Sequence, residues 1–304
     1  MHYVVTGGTG FIGTRLVESL LADGHDITVI SRKPANVTVG SKAHQPKLES
    51  ITIDELQKLT KPVDGVVNLA GAPIVDKRWT DARKKLLRHS RIDLTQTLIA
   101  SLEKAGAQPD VFISGSAIGY YGSHDHDLPL NEQATVTKGF THDLCRDWEN
   151  AALGAEKRLN SRVCLIRTGV VLGEGGALKK MLPPFRFGLG GPIGDGRQWM
   201  SWLHLDDEVA AIRFLLAHDT LSGPFNLTAP GSVTNQEFSD TLGAVLGKPA
   251  KFRVPPLMMK LMLGEASELL LEGQRIYPEK LLKAGFTFKY PDLSTALRTV
   301  LGSE

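Results

Sequence analysis

Val4-Val5-Thr6-Gly7-Gly8-Thr9-Gly10-Phe11-Ile12-Gly13 decides the fold, because a β-branched run enters a turn with glycines at Gly7, Gly10 and Gly13, and a helical apolar stripe (Ile12, Leu16, Leu20) starts at once. Each glycine has a mechanical reason. The first permits the tight turn, the second lets a pyrophosphate approach the backbone, and the third allows close packing of helix on strand. Free N–H groups and the positive end of the helix dipole then face the phosphates. Glycine turns also occur for structural reasons alone, and it is the strand-turn-helix context that favours a dinucleotide here. The expected contacts are Gly7, Thr9, Gly10, Phe11, Ile12 and Gly13.

Further along the chain, residues 3–5, 26–30, 63–69, 111–114 and 162–166 are short apolar or β-branched runs separated by helix-length stretches. That alternation predicts repeated βα units. Asp23-Gly24-His25 ends the first helix, and residues 83–105 read as one long charged helix lying across the sheet. The expected fold is α/β, a doubly wound parallel sheet of Rossmann type with a smaller, mostly helical C-terminal region. Between Gly173 and Gly196 there are eight glycines and three prolines in twenty-four residues, which reads as a loop-rich excursion contributing to a substrate cleft. Asp206-Asp207 is expected to cap a helix carrying Val209, Ile212, Leu215 and Leu216, with 225–227 as a late strand. The domain division expected is 1–230 and 231–304.

Composition excludes several classes. Lys plus Arg number 35 against 33 acidic residues in 304, a net charge of +2 without the basic excess of a nucleic-acid binder. The sequence has no apolar stretch long enough for a membrane span and no charged n-region, so a soluble cytoplasmic protein is expected. Cys145 and Cys164 are too few for a disulfide scaffold and lack zinc-site spacing, which predicts two reduced thiols.

About 20 residues past the third glycine, where an NAD-specific domain offers an acid to the ribose diol, this chain carries Ser31-Arg32-Lys33. A basic pair suits a 2′-phosphate, so NADP(H) is the expected cofactor; a merely solvated loop is the bland alternative. Asn68-Leu69-Ala70-Gly71 and Ser114 sit at strand carboxyl ends, where ligands of open α/β sheets bind.

The Gly-x-x-Gly-x-x-Gly spacing resembles the extended, epimerase-type short-chain dehydrogenase/reductase superfamily. Ser114-Gly115-Ser116, Tyr120-Tyr121-Gly122, Arg167-Thr168-Gly169 and His204-Leu205-Asp206-Asp207 follow in the order of such chains. Residues 190–198 and the tail from Arg253 resemble, more narrowly, the YfcH-like epimerase family with human family 39U-like members, whose tail is a small C-terminal module. The resemblance implies hydride chemistry helped by a Ser and by a Tyr whose pKa is lowered by a Lys four residues later. Ser116 matches the Ser, but no tyrosine here has that lysine, and the Tyr and Lys positions fall on Thr141 and Cys145. Substitute acids are Tyr120, Tyr121 or His142, whose ordinary imidazole range suits proton transfer. Packing roles stand beside each of these readings.

Arg186, Arg197 and Lys179, with Trp199 and Trp202, are candidates for clamping an anionic or nucleotide-linked small-molecule substrate, against a reading as solvated and core residues. His204, Asp206 and Asp207 resemble metal ligands in type only, and no metal is expected. Two functions follow: an NADP(H)-dependent oxidoreductase or sugar-nucleotide epimerase-type enzyme, or a non-catalytic NADP(H)-binding regulator acting through a protein partner. The resemblance implies a homodimer, and cell-division names among relatives suit the second.

Overall fold

The computed structural model describes residues 1–34, 47–124 and 127–302. Seven parallel strands form the central sheet: β1 (His2–Thr6), β2 (Asp26–Ile30), β3 (Leu48–Ile51), β4 (Gly65–Asn68), β5 (Val111–Ala117), β6 (Arg162–Thr168) and β10 (Gly223–Leu227), in the order β10-β6-β5-β4-β1-β2-β3. The order reverses between β1 and β4, and an open parallel sheet binds its ligand at the carboxyl ends beside such a switch. Short pairs β7 (Val170–Leu172) with β9 (Trp202–His204), and β8 (Trp199–Met200) with β11 (Val233–Thr234), flank the sheet.

Helices cover both faces because the strands are apolar on both. On one face α1 (Phe11–Ala22) and α7 (Leu205–Ala217) bury Leu16, Leu20, Ile212 and Leu215 against Val5, Ile113 and Ile166. On the other, α2 (Ile53–Leu56), α4 (Leu94–Lys104) and α5 (Phe140–Arg158) pack Leu56, Leu98 and Ala152 on Val4, Val66 and Val163. The long charged helix is α3 (Asp81–Arg88) running into α4 through a π turn at His89–Asp93.

Two expectations change here. The excursion contains a helix, α6 (Gly176–Arg186), with Pro183 and Pro184 confined to its final turn. Leu178, Leu182 and Phe185 recur at helical spacing and are buried, which outweighs the glycine and proline content. The cap of α7 is His204, whose Nδ1 accepts the Asp206 N–H at 3.0 Å, while the Asp207 carboxylate accepts the N–H groups of Lys289 (2.7 Å) and Tyr290 (2.9 Å). Beyond β11 the chain is helical, with α8 (Asn235–Leu246), α9 (Pro256–Leu263), α10 (Glu268–Leu271), α11 (Glu279–Lys283) and α12 (Leu293–Leu301). Among the described residues no helix is long and apolar enough to cross a membrane, and both cysteines are buried free thiols.

Candidate functional site

The turn after β1 is built by close approach. Gly7 adopts φ +70°, and a Cβ there would stand 2.8 Å from the Leu69 carbonyl carbon; a Cβ on Gly13 would collide with the Gly7 carbonyl oxygen. Gly10 N–H donates to Gly7 O at 2.8 Å, and Gly10 caps α1 with no side-chain acceptor and no acid in the first turn. The first helical N–H groups therefore lack a side-chain partner, which fits a pyrophosphate. Thr9 is exposed, Ile12 packs on the core, and the Phe11 ring is covered by Gly173 and Gly175, where a Cβ would come within 2.7 Å of it.

The neighbouring strand ends are cross-tied. Thr6 Oγ1 donates to Asn68 Oδ1 (2.7 Å) and accepts from Ala70 N (3.2 Å), and Asn68 Nδ2 donates to Thr95 Oγ1 (2.8 Å) and Ser114 Oγ (3.3 Å). Asn68 and Ser114 are thus buried residues that fix the Leu69-Ala70-Gly71 backbone at the switch point. Ser31 Oγ accepts the Lys33 N–H at 3.1 Å, and the exposed Arg32 and Lys33 side chains form no ion pair among the described residues.

Ser116 and Arg167 are register partners on β5 and β6, so both side chains reach the same residue of α5, Glu149. Ser116 Oγ donates to Glu149 Oε1 at 2.7 Å, and Arg167 grips the carboxylate with two bonds of 2.8 and 2.9 Å. Although burial alone would lower it, the Glu149 contacts hold the Arg167 guanidinium above its ordinary value. Arg167 also donates to the Tyr121 hydroxyl (3.0 Å) and lies 3.4 Å from the centre of the Tyr120 ring. Tyr121 in turn donates to Asn226 Oδ1 at 2.7 Å, and burial pushes its phenol up to about 12. That placement corrects the expectation for Tyr121: an enclosed hydroxyl with both partners supplied by protein serves the network and has no proton to exchange with a ligand. His142 Nδ1 stands 2.6 Å from the Tyr120 carbonyl oxygen, so Nδ1 donates, and Nε2 forms no hydrogen bond among the described residues. Thr141 and Cys145 are buried, the thiol being pushed up to about 12, mainly by burial.

The residues expected to clamp a substrate are dispersed. Arg186 is exposed at the end of α6, and the Arg197 side chain is 89% exposed with Asp195 at 3.9 Å as its neighbour. Lys179 is exposed, while Trp202 is core and donates to Gly231 O. Trp199 donates its indole N–H to Asp127 and carries the Arg275 guanidinium 4.6 Å from its ring centre. A cavity of about 750 Å³ opens between the 193–198 loop and α9–α10, lined by Asp195, Gln198, Lys260, Glu268 and Glu272, and Arg186, Arg197 and Trp199 are not in its wall. The structure does not bring the three expected clamp residues together there: Arg186 lies on the surface of α6, Arg197 is exposed, and carboxylates outnumber the single lysine in that cavity wall.

Glu149 and Arg167 carry the network, yet neither was among the candidates. Their signal is a charged residue at a core-facing position, Arg167 directly after the apolar run 163–166 and Glu149 four residues after buried Cys145. A family model, the NAD dependent epimerase/dehydratase family, matches residues 3–227, and a domain of unknown function, DUF1731, matches 254–300. The chain is 41% identical to the epimerase family protein SDR39U1 homolog, chloroplastic, of Arabidopsis thaliana, covering 99% of this chain and 87% of that one. It is 41% identical to an epimerase family protein of Mycobacterium leprae, over 96% and 93%. Human epimerase family protein SDR39U1, whose crystal structure was solved with NADPH, superposes with a TM-score of 0.89 at 36% identity and covers both chains fully. With a family model spanning the whole sheet and relatives matched end to end, this chain belongs to the NAD dependent epimerase/dehydratase family.

Proposed function

We propose that this chain is an NADP(H)-binding short-chain dehydrogenase/reductase-like enzyme, an oxidoreductase or epimerase acting on a small molecule. The uncapped glycine turn at the β1/β4 switch, flanked by Arg32 and Lys33 in place of an acid, carries the reading. The human relative with NADPH supports it. Hydride transfer is the chemistry a nicotinamide supplies when bound. In this reading Gly7, Gly10, Gly13 and the first turn of α1 hold the pyrophosphate, and Arg32 and Lys33 take the 2′-phosphate.

The proton route departs from a Tyr–Lys pair. The Ser116 hydroxyl donates its hydrogen bond to Glu149, so it offers lone pairs to a reacting hydroxyl and orients it. The two remaining candidates differ in direction: the Nε2 of His142 can take the proton of that hydroxyl on oxidation, and the Tyr120 hydroxyl can give a proton to the oxygen on reduction. Ser116→Ala is expected to abolish substrate-dependent NADPH oxidation while leaving calorimetric NADPH affinity within about twofold. Turnover that survives the substitution would remove Ser116 from the mechanism.

A second reading, an NADP(H)-binding regulator acting through a protein partner, is favoured by one observation: Thr141 and Cys145, both buried, stand where the proton-transfer pair belongs. Tight NADPH binding without turnover across carbonyl and sugar-nucleotide substrates would favour it. We further assign the chain to the cytoplasm, with a homodimer as the assembly that light scattering tests.

A further inference from the structure

Position 145, which holds a lysine in the superfamily pattern, is filled here by a buried thiol. A positive charge nevertheless stands close by, brought from another helix. The π turn at His89–Asp93 interrupts the run from α3 to α4 and directs Arg91 inward. Such inserted turns occur often at functional sites. The guanidinium donates to Ala72 O at 3.0 Å and more distantly to Leu87 O at 3.3 Å, and it stands 5.2 Å from the centre of the Trp148 ring. It also covers Gly71, where a Cβ would come 3.0 Å from its central carbon.

Arg91 has no carboxylate partner among the described residues, in contrast to Arg167 with Glu149. Burial holds it below its ordinary value, and the Cys145 thiol is near enough to act on it. Arg91 is half-buried, and besides these carbonyls and the Trp148 ring its guanidinium meets only the Ser90 hydroxyl, at 3.5 Å, among the described residues, so it keeps N–H donors in reserve for a ligand. Its backbone is fixed to the sheet as well: Thr95 donates to Arg91 O (2.6 Å) while accepting from Asn68 and from Trp148 Nε1 (3.2 Å). The charge is therefore held firmly at the carboxyl ends of β4 and β5, on the β5 side of the glycine turn.

We propose that Arg91 is a positioning residue for the nicotinamide half of the cofactor, donating to the oxygens of its ribose and phosphate in place of the lysine that position 145 lacks. This rests on the NADP(H) reading above. The test is calorimetric titration of wild type, Arg91→Met and Arg91→Lys with NADPH and with 2′,5′-ADP, which carries only the adenosine side. Arg91→Met is expected to weaken NADPH tenfold or more and to leave 2′,5′-ADP within twofold, with Arg91→Lys recovering part of the loss. Unchanged NADPH affinity in Arg91→Met overturns the proposal, as does equal weakening of both ligands, the mark of a structural role. Should Arg91→Met fail to fold, Arg91→Lys carries the test, because a point charge replaces the planar fork imperfectly and NADPH alone should weaken severalfold. Wild type that binds 2′,5′-ADP but shows no gain for NADPH also overturns it, whereas wild type that binds neither defeats the cofactor reading itself.

Discussion

At the scale of single residues, charge placement decides the sharpest tests. Arg32 is exposed and forms no ion pair among the described residues, so its replacement should cost little stability. Arg32→Ala is expected to weaken NADPH by roughly 10- to 100-fold, the size of a charge-assisted contact of about 1.5–3 kcal/mol, and NADH hardly at all. Equal weakening in titration would remove the 2′-phosphate assignment. Glu208 offers a pH test. It is fully buried, its Oε1 accepts from Thr168 Oγ1 at 2.9 Å and its Oε2 has no partner among the described residues. Burial pushes its carboxyl from 4.5 up to about 8 against the opposing Thr168 bond. Between those values the folded chain keeps a proton that the unfolded chain releases, so this group stabilises fully below the unfolded value, and its contribution is lost as pH rises toward 8. The slope is at most about 1.4 kcal/mol per pH unit. Glu208→Gln should remove it, so the Tm difference between variant and wild type should grow as pH rises from about 5 to about 8. A constant difference would contradict the buried neutral carboxyl.

At the scale of elements, legibility tracks how strongly local pattern and tertiary packing agree. The β1–α1 turn, β2, β4, β5 and β6 were legible because apolar runs and glycine geometry point the same way. Strand β3 was not: Leu48–Ile51 carries Glu49 and Ser50, is only half-buried and lies at the sheet edge, where burial imposes little pattern. Helix α6 was hidden by glycines and prolines although Leu178, Leu182 and Phe185 mark its buried face. The Ser116–Glu149–Arg167 network was only half legible, since strand register rather than sequence spacing brings its members together. Phe185 tests the α6 assignment. It is nearly buried and abuts Gly190, so Phe185→Ala should destabilise by about 3–5 kcal/mol and lower Tm accordingly. A change within about 0.5 kcal/mol is what an exposed loop residue gives, and it would refute the helix packing.

At the scale of the whole molecule, the division near residue 230 is a boundary of sequence pattern that the cores ignore. Leu172, Leu178, Phe185 and Trp202 share one cluster with Phe238, Leu242, Tyr290 and Leu297. Leu281, Phe286 and Phe288 enter the main sheet core beside Ile212 and Phe225. Polar ties cross as well, since Asp207 accepts from Lys289 and Tyr290, and Glu132 accepts from Lys280 N and Asn226 N. We propose that the two segments fold as one cooperative unit, with the C-terminal segment acting as a wall of the main core. A chain ending at residue 230 would expose Trp202, Phe185 and Phe225 together, an apolar area that soluble monomers rarely present. Its expected behaviour is loss of the cooperative thermal transition, with loss of NADPH binding. Asp207→Asn in the full chain is the milder probe. It should speed amide exchange at Lys289 and Tyr290 first, because their acceptor loses its charge while the sheet stays intact. A truncated chain that unfolds cooperatively near the wild-type Tm and binds NADPH with wild-type affinity would establish two independent domains instead.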